Sequence, residues 1–475
     1  MMSQSAANST EIGLECLTSA IEMQIVRALE SAGHSNDMLS LSLAAPVVPA
    51  ERLLMMAGYA NQTLWCPSLE DESAGVGAAV ILTGSGESRF SEILASARKF
   101  FETHTVLSLD GETGPEPSFL GGLAFAPGET ESDLWRGFGD ARFVLPRIGY
   151  TRRKTKAWLT LSASKGELAT QVGRTHLARE AKAALEMLGQ PLDSSPSPPS
   201  VSKPVAEPVA EPIAEDERGW TLLVAGILAE INAGRLEKAV AARQVVLTGK
   251  DLPSPSQVLE RLRDEGPHCT RFALTVGSRT FLGASPEKMV RRRGLLVWTE
   301  ALAGSVRGDD PEQAQALLCS QKNGLEHAIV AREIHAMLAP LSSSLSTEGP
   351  HLLQLRHVTH LRTRFQGLLK EPMHVLDLVA RLHPTPAVGG TPRRSALAWL
   401  RNHENADRGF YAGPFGVFDR AGNGEFVVAL RSGLVNATQA HLFAGAGIVR
   451  GSRIQSELTE TRWKLGALLA ALGAS

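Results

Sequence analysis

Helical and strand-like segments are mixed along this chain without a strict strand–helix–strand rhythm, and that limits the folds open to it. Parallel sheets need a long crossover, usually a helix, between successive strands; strands that follow one another through turns pair antiparallel. Between residues 40 and 188 the runs LSLAAPVV, VGAAVIL, FLGGLAFA, ARFVLPRIGYTRR and AWLTLSAS all have strand-like composition. Apolar residues recur at helical spacing only at 12–29, 89–104 and 175–188. Further on, a helix over 220–232 leads into LEKAVAARQVVLTG, and a second helix spans 254–265. One long helix is expected over 311–338, with Pro311 suited to its first turn, and HVTHLRTRFQGLL reads as a strand pair. The pattern predicts an α+β or large two-layer fold and argues against a Rossmann sheet or a TIM barrel.

Size and charge narrow the function classes. A chain of 475 residues predicts about two to four domains, or one very large fold. Its clearest internal boundary is the Pro-, Ala- and Glu-rich stretch 191–218, which has too little apolar surface to order itself and reads as a flexible linker or loop. It separates an N-terminal part, 1–190, from a C-terminal part, 219–475. A net charge of −2 with no basic stripe excludes nucleic acid or an anionic membrane as the main partner, and the short run Arg291-Arg292-Arg293 reads as solvated. Cys16, Cys66, Cys269 and Cys319 lack CxxC spacing, so they read as reduced thiols, with neither a disulfide framework nor a zinc site. No apolar run reaches the ~18 residues of a membrane span, and no basic-then-apolar leader opens the sequence, so a cytoplasmic location is expected.

The candidate chemistry concentrates near the C-terminus. After HPTPAVGGTPR and the strand-like YAGPFGVF and EFVVALRSG comes HLFAGAGIVRGS, read as a strand running into a glycine-rich turn. The helix that follows carries Glu457, Glu460 and Lys464 on one face. Two carboxylates and an ammonium beside such a turn can hold a divalent cation and a carboxylate substrate, although the same spacing also describes an exposed Glu–Lys helix pair. Elsewhere, Lys238 opens a predicted strand, where most lysines are solvated; to act as a base it needs burial or cationic neighbours. Pro286 ends a strand and turns Glu287 out of it, which suits a general acid if an apolar pocket surrounds it and a plain exposed residue if not. Glu326, with Glu457 and Glu460, forms an oxygen-only set that favours Mg2+, and the HExxH pattern of zinc proteases is absent. The turns Gly389-Gly390 and Gly445-Ala446-Gly447 can offer N–H groups to an anion, but neither has dinucleotide or P-loop spacing.

Taken in order, SPEK (285–288), TEALAGS (299–305), KNGLEHAIV (322–330), HLRT (360–363), HPTPAVGG, YAGPFGVF, ALRSG, FAGAGIVRGS and the ExxExxxK of the last helix resemble the chorismate-utilising enzymes, and within them the isochorismate synthases. The resemblance covers about 219–475 with specific motifs and the N-terminal half more loosely. It implies one large α+β fold, two stacked antiparallel sheets flanked by helices with the site between them. It also implies a reversible, Mg2+-dependent reaction in which water attacks C2 of chorismate and the C4 hydroxyl leaves. Carried over, Lys238 is the base that activates water and Glu287 the acid that protonates the leaving hydroxyl. Glu326 and Glu460, with Glu457 close by, hold Mg2+. Arg431 and Lys464 clamp substrate carboxylates, Gly304 and the backbone of Gly445, Ala446 and Gly447 line the carboxylate sites, and His360 lies near the ring. Lys238 matches the hydroxylating members, where anthranilate synthases carry Gln. Ala303 stands where aminodeoxychorismate synthases carry a nucleophilic Lys. No glutaminase partner is therefore expected, and a monomer is. The menaquinone-type sequences look closer than the siderophore-type. The alternatives are a salicylate synthase, which goes on to eliminate pyruvate, and a non-catalytic chorismate-binding protein.

Overall fold

The computed structural model describes residues 18–27, 29–30, 37–111, 114–190, 211–212, 217–250, 252–308 and 310–474. The expected helix at 12–29 is present over 18–27, its first residues lying outside the described ones, as does most of the 191–218 stretch. Glu211–Pro212 nevertheless pairs with Leu247 and Thr248, so the chain meets a sheet edge there.

Two large sheets make up the fold. The first runs Glu211–Pro212, Lys238–Thr248, Gln439–Val449, Ser432–Val435, Arg279–Ser285, Thr270–Val276, Asn61–Cys66, Asp71–Val76, Ile148–Arg153, Lys156–Ser164, Met38–Ala44 and His104–Ser108. The second runs Ser342–Gln354, Val358–Leu369, Leu296–Arg307, Lys288–Arg293, Gly424–Val428, Pro414–Phe418, Phe119–Leu123, Ala141–Leu145 and Val80–Gly84. Among these neighbours only Met38–Ala44 and His104–Ser108 run parallel, and a helix (Arg89–Thr103) precedes the second of them, as a parallel crossover requires. Both sheets draw strands from both halves of the sequence. Their facing sides meet through aromatic rings: Phe272 and Trp65 of the first sheet stack near Phe415 of the second, with centroids 4.7 and 6.4 Å away.

The chain changes sheets at sharp corners. ARFVLPRIGYTRR is one such case, with Ala141–Leu145 in the second sheet and Ile148–Arg153 in the first, separated by Pro146. Pro286-Glu287 separates Arg279–Ser285 from Lys288–Arg293 in the same way, as the strand-ending proline predicted. Ala429 to Arg431 makes the third change, from Gly424–Val428 to Ser432–Val435.

Four sequence expectations need correction. The long helix over 311–338 is two, Pro311–Leu317 and Gln321–Leu338, because the Ser320 side chain accepts from the Asn323 N–H and starts a new helix. HVTHLRTRFQGLL is not a strand pair but one strand, Val358–Leu369, flanked by Leu296–Arg307 and Ser342–Gln354. Arg292 is not solvated; it is buried and donates to the Ala421 carbonyl at 2.7 Å. The AGAG run is not a turn either, since it lies inside the strand Gln439–Val449.

A buried ionic network ties the halves together. Arg271 on Thr270–Val276 reaches Glu72 at 3.1 Å and pairs with Glu51, while Arg263 holds Glu51 at 2.9 Å. Arg271→Met would leave both carboxylates buried without this cation, and we expect a loss of about 3–5 kcal/mol, measured by urea unfolding of the two proteins.

Candidate active site

The strand Lys238–Thr248 pairs antiparallel with Gln439–Val449 over its full length, setting Lys238 opposite Val449 and Val240 opposite Gly447. Lys238 itself is wholly buried, and its Nζ donates to Glu326 Oε1 at 3.1 Å. Glu326 comes from Gln321–Leu338, packed over the strands. This approach is possible because residue 447 is glycine: a Cβ there would lie 2.0 Å from Glu326 Oε1 and 2.9 Å from Lys238 Cε. The glycines predicted to cradle an anion thus act first by making room. Gly445 and Gly447 line a cavity, whereas Ala446, one residue out of phase, packs into the core on the opposite face with Ile227 and Leu458.

That cavity is lined by Glu287, Gly304, Glu326, His360, Arg431, Gly445, Gly447 and Lys464, with apolar walls from Val240, Ala387, Val388, Leu430 and Phe443. Eight of the twelve site residues expected from sequence therefore border one space. Lys238 joins it through Glu326, Glu460 through Lys464 at 2.6 Å, and Glu457 through Lys322, which lies 2.9 Å from it and 3.7 Å from Glu326. Tyr411 and Ser305 also face the cavity and were not singled out from sequence. A hydroxyl or phenol inside a strand-rich motif gives no spacing signal of its own.

Each group's protonation follows from its surroundings. Burial, reinforced by the nearby Glu300 carboxyl, pushes Glu287 up to about 8 against the opposing pull of Lys238 and Lys464. It is therefore protonated near neutral pH, the state a general acid requires. His360 is held neutral, well below its ordinary range, by burial and then by the Arg431 guanidinium. Arg431 has only donors, so its Nη2, 3.1 Å away, gives a hydrogen bond to His360 Nε2; the ring proton sits on Nδ1, 3.0 Å from Ser305 Oγ. Arg431 adopts φ +50°, a left-handed backbone rare outside glycine, at the corner between the two sheets. Gly304 sits at an irregularity in the pairing of Leu296–Arg307 with φ +75°, its Cβ position 3.1 Å from Asn323.

The three glutamates form the electronegative centre. Burial works against ionisation of Glu326, but Lys238 and Lys322 overcome it and hold the group below its ordinary value. Burial likewise opposes Glu460, which Lys464 and Lys322 keep ionised. Glu457 is pushed up to about 7 by burial and the neighbouring Glu460 charge, in spite of Lys322. Among the described residues no three His, Cys, Asp or Glu side chains stand ready as ligands; the Lys322 Nζ lies between Glu326 and Glu457. The donor type nevertheless suits Mg2+: the three glutamates offer oxygen ligands only, with cations already drawn among them.

The chain belongs to the chorismate binding enzyme family, whose model matches residues 24–473. Among its relatives, the isochorismate synthase MenF of Bacillus subtilis is 32% identical over 469 residues, 95% of this chain and 97% of that protein. The salicylate biosynthesis isochorismate synthase of Pseudomonas aeruginosa is 37% identical over 408 residues, 84% of this chain and 82% of that one. In three dimensions the menaquinone-specific isochorismate synthase MenF of Escherichia coli superposes with a TM-score of 0.73 at 26% identity, covering 96% of this chain and 99% of its own.

Gly447→Ala drives a methyl group into the Lys238–Glu326 contact. Turnover is expected to fall by about 10²-fold or more, since displacements near 1 Å suffice for such losses; steady-state assay of the folded variant, checked by circular dichroism, measures it.

Proposed function

We propose that this protein is an isochorismate synthase, converting chorismate reversibly to isochorismate. The observation that carries the reading is the pairing of a fully buried lysine, Lys238, with a carboxyl kept protonated near neutrality, Glu287, beside one cavity that also holds Arg431 and Lys464. In the forward direction Lys238 takes a proton from the water whose oxygen bonds to C2. The ring double bonds shift as the C4–O bond breaks, and Glu287 gives its proton to the departing hydroxyl, which leaves as water. Arg431 and Lys464 fix the substrate's carboxylates by charge-assisted hydrogen bonds, and neutral His360 is available to the ring hydroxyl. Glu326 and Glu460, with Glu457 beside them, would hold Mg2+. Bound there, the cation supplies the positive charge that anchors the ring carboxylate. The apolar walls keep bulk water from the acid, which sustains its raised pKa. The relatives include menaquinone-specific, vibriobactin-specific and salicylate-biosynthesis enzymes. The MenF of Bacillus subtilis and the superposed MenF of Escherichia coli match nearly the whole chain and support a role in menaquinone biosynthesis, while the salicylate-biosynthesis relative has the higher identity over 84% of it.

Lys238→Ala and Glu287→Gln are each expected to lower kcat by about 10²–10⁴-fold, read by chromatography of chorismate and isochorismate; full activity in either variant removes the assigned role. Appearance of salicylate with pyruvate in the wild-type reaction would assign the salicylate synthase reading instead. The forward rate should fall as pH rises through about 8, as Glu287 loses its proton. Stability moves the same way. The folded state holds a proton that the unfolded chain has already lost above the ordinary carboxylate range, so stability declines from there up through about 8. Glu287→Gln should therefore melt higher than wild type at pH 9, and by a wider margin than at pH 6, in paired thermal scans. Glu326→Ala should raise the Mg2+ concentration needed for half-maximal turnover at least about tenfold; an unchanged Mg2+ curve excludes it as a ligand.

A further inference from the structure

Lys322 is a partly buried cation for which the reaction has no use. The proposed chemistry assigns a proton transfer to Lys238 and a substrate carboxylate to Lys464, but nothing to Lys322. Yet its Nζ lies 2.9 Å from Glu457 Oε1 and 3.7 Å from Glu326 Oε2, within the carboxylate centre itself. Each glutamate of that centre has a lysine of its own: Lys238 on Glu326 at 3.1 Å, Lys322 on Glu457 at 2.9 Å and Lys464 on Glu460 at 2.6 Å. Three lysines thus face three glutamates.

We infer that Lys322 is a resident counter-ion that holds the place of Mg2+ and makes metal and substrate bind together instead of separately. The inference rests on the metal reading above. A divalent cation entering alone would add two positive charges where three lysines already face the glutamates. A dicarboxylate entering alone would add two negative ones. Uncompensated charge in a poorly hydrated site is costly, so neither binds well by itself, and their joint arrival leaves the net charge unchanged. Lys322 is built to yield. It projects from the first turn of Gln321–Leu338 on a four-carbon stem, and its side chain is 25% exposed where that of Lys238 is 0% exposed. Its ammonium therefore has a route to water when the metal takes the glutamates. Reciprocal linkage then requires chorismate to tighten Mg2+ by the factor that Mg2+ tightens chorismate.

The test is isothermal titration of the full-length protein with MgCl2 alone, then with chorismate present at its equilibrium with product. Lys322→Met removes one of the three cations that face the glutamates. It is expected to bind Mg2+ alone about tenfold tighter than wild type or more, with a smaller gain on adding chorismate, while Lys322→Arg behaves as wild type. A merely structural lysine would not tighten the metal when removed. If Lys322→Met does not fold, Lys322→Gln, which keeps a donor towards Glu457, is measured in its place with the same expectation. Binding of Mg2+ alone that is no tighter without the lysine overturns the inference. Absence of any Mg2+ binding by wild type with chorismate at saturation is a separate failure; it removes the metal reading and the role of Lys322 with it.

Discussion

Three buried glutamates and three lysines, one of them wholly buried, meet in a single cluster, and the surrounding structure exists in the form it does because charged groups tolerate burial only in company. An isolated charge moved from water into a protein interior costs several kcal/mol even after relaxation. Here each charged head meets an opposite one: Lys238 with Glu326, Lys322 with Glu457, Lys464 with Glu460. Those contacts need four elements at fixed separations: two neighbouring strands, a helix above them and the C-terminal helix Ile454–Leu472. The absence of a side chain at Gly447 sets the closest approach.

A second constraint acts at the corners. Glu287 and Arg431 both stand where the chain leaves one sheet for the other. A residue at such a corner escapes the alternation of a strand, so it can point into the gap between layers while its neighbours serve the two cores. The gap is apolar enough to keep one of these groups neutral, and burial, helped by the guanidinium of the other, keeps His360 neutral. Acid and anchor thus obtain different electrostatic settings from the same topological device.

Part of this was legible in the sequence. Helical spacing alone put Glu457, Glu460 and Lys464 on one face, and Pro286 announced the corner before Glu287, because both signals are local. The lack of a βαβ rhythm anticipated two antiparallel-rich sheets. The Lys238–Glu326 contact spans 88 residues and has no local signature; only the ordered motifs pointed to it. The AGAG run reads as a turn because glycine is the usual turn residue, whereas here it serves close approach within a strand, which composition does not distinguish. Ser342–Gln354 escaped notice because it is an edge strand with most side chains exposed, so it lacks the apolar alternation that marks half-buried strands. Lys322 sat one helical turn before Glu326 in plain view, but an i,i+4 Lys–Glu pair is indistinguishable from ordinary surface decoration until its burial is known.

The interleaving of early and late strands has a consequence for how the molecule comes into being. The strand carrying Lys238 forms its long pairing with Gln439–Val449, and the last glutamate and lysine of the centre lie on the helix after it. A ribosome delivers these pieces at opposite ends of the C-terminal half. Until residues 439–464 are made, Lys238 and Glu326 lack the neighbouring strand Gln439–Val449 and the charged groups of Glu457, Glu460 and Lys464. Strand pairing over such sequence distances is slow and exposes unpaired edges while it waits. A chain lacking Gln439–Val449 would lose the strand that joins Lys238–Thr248, and with it Lys238, to the rest of the first sheet.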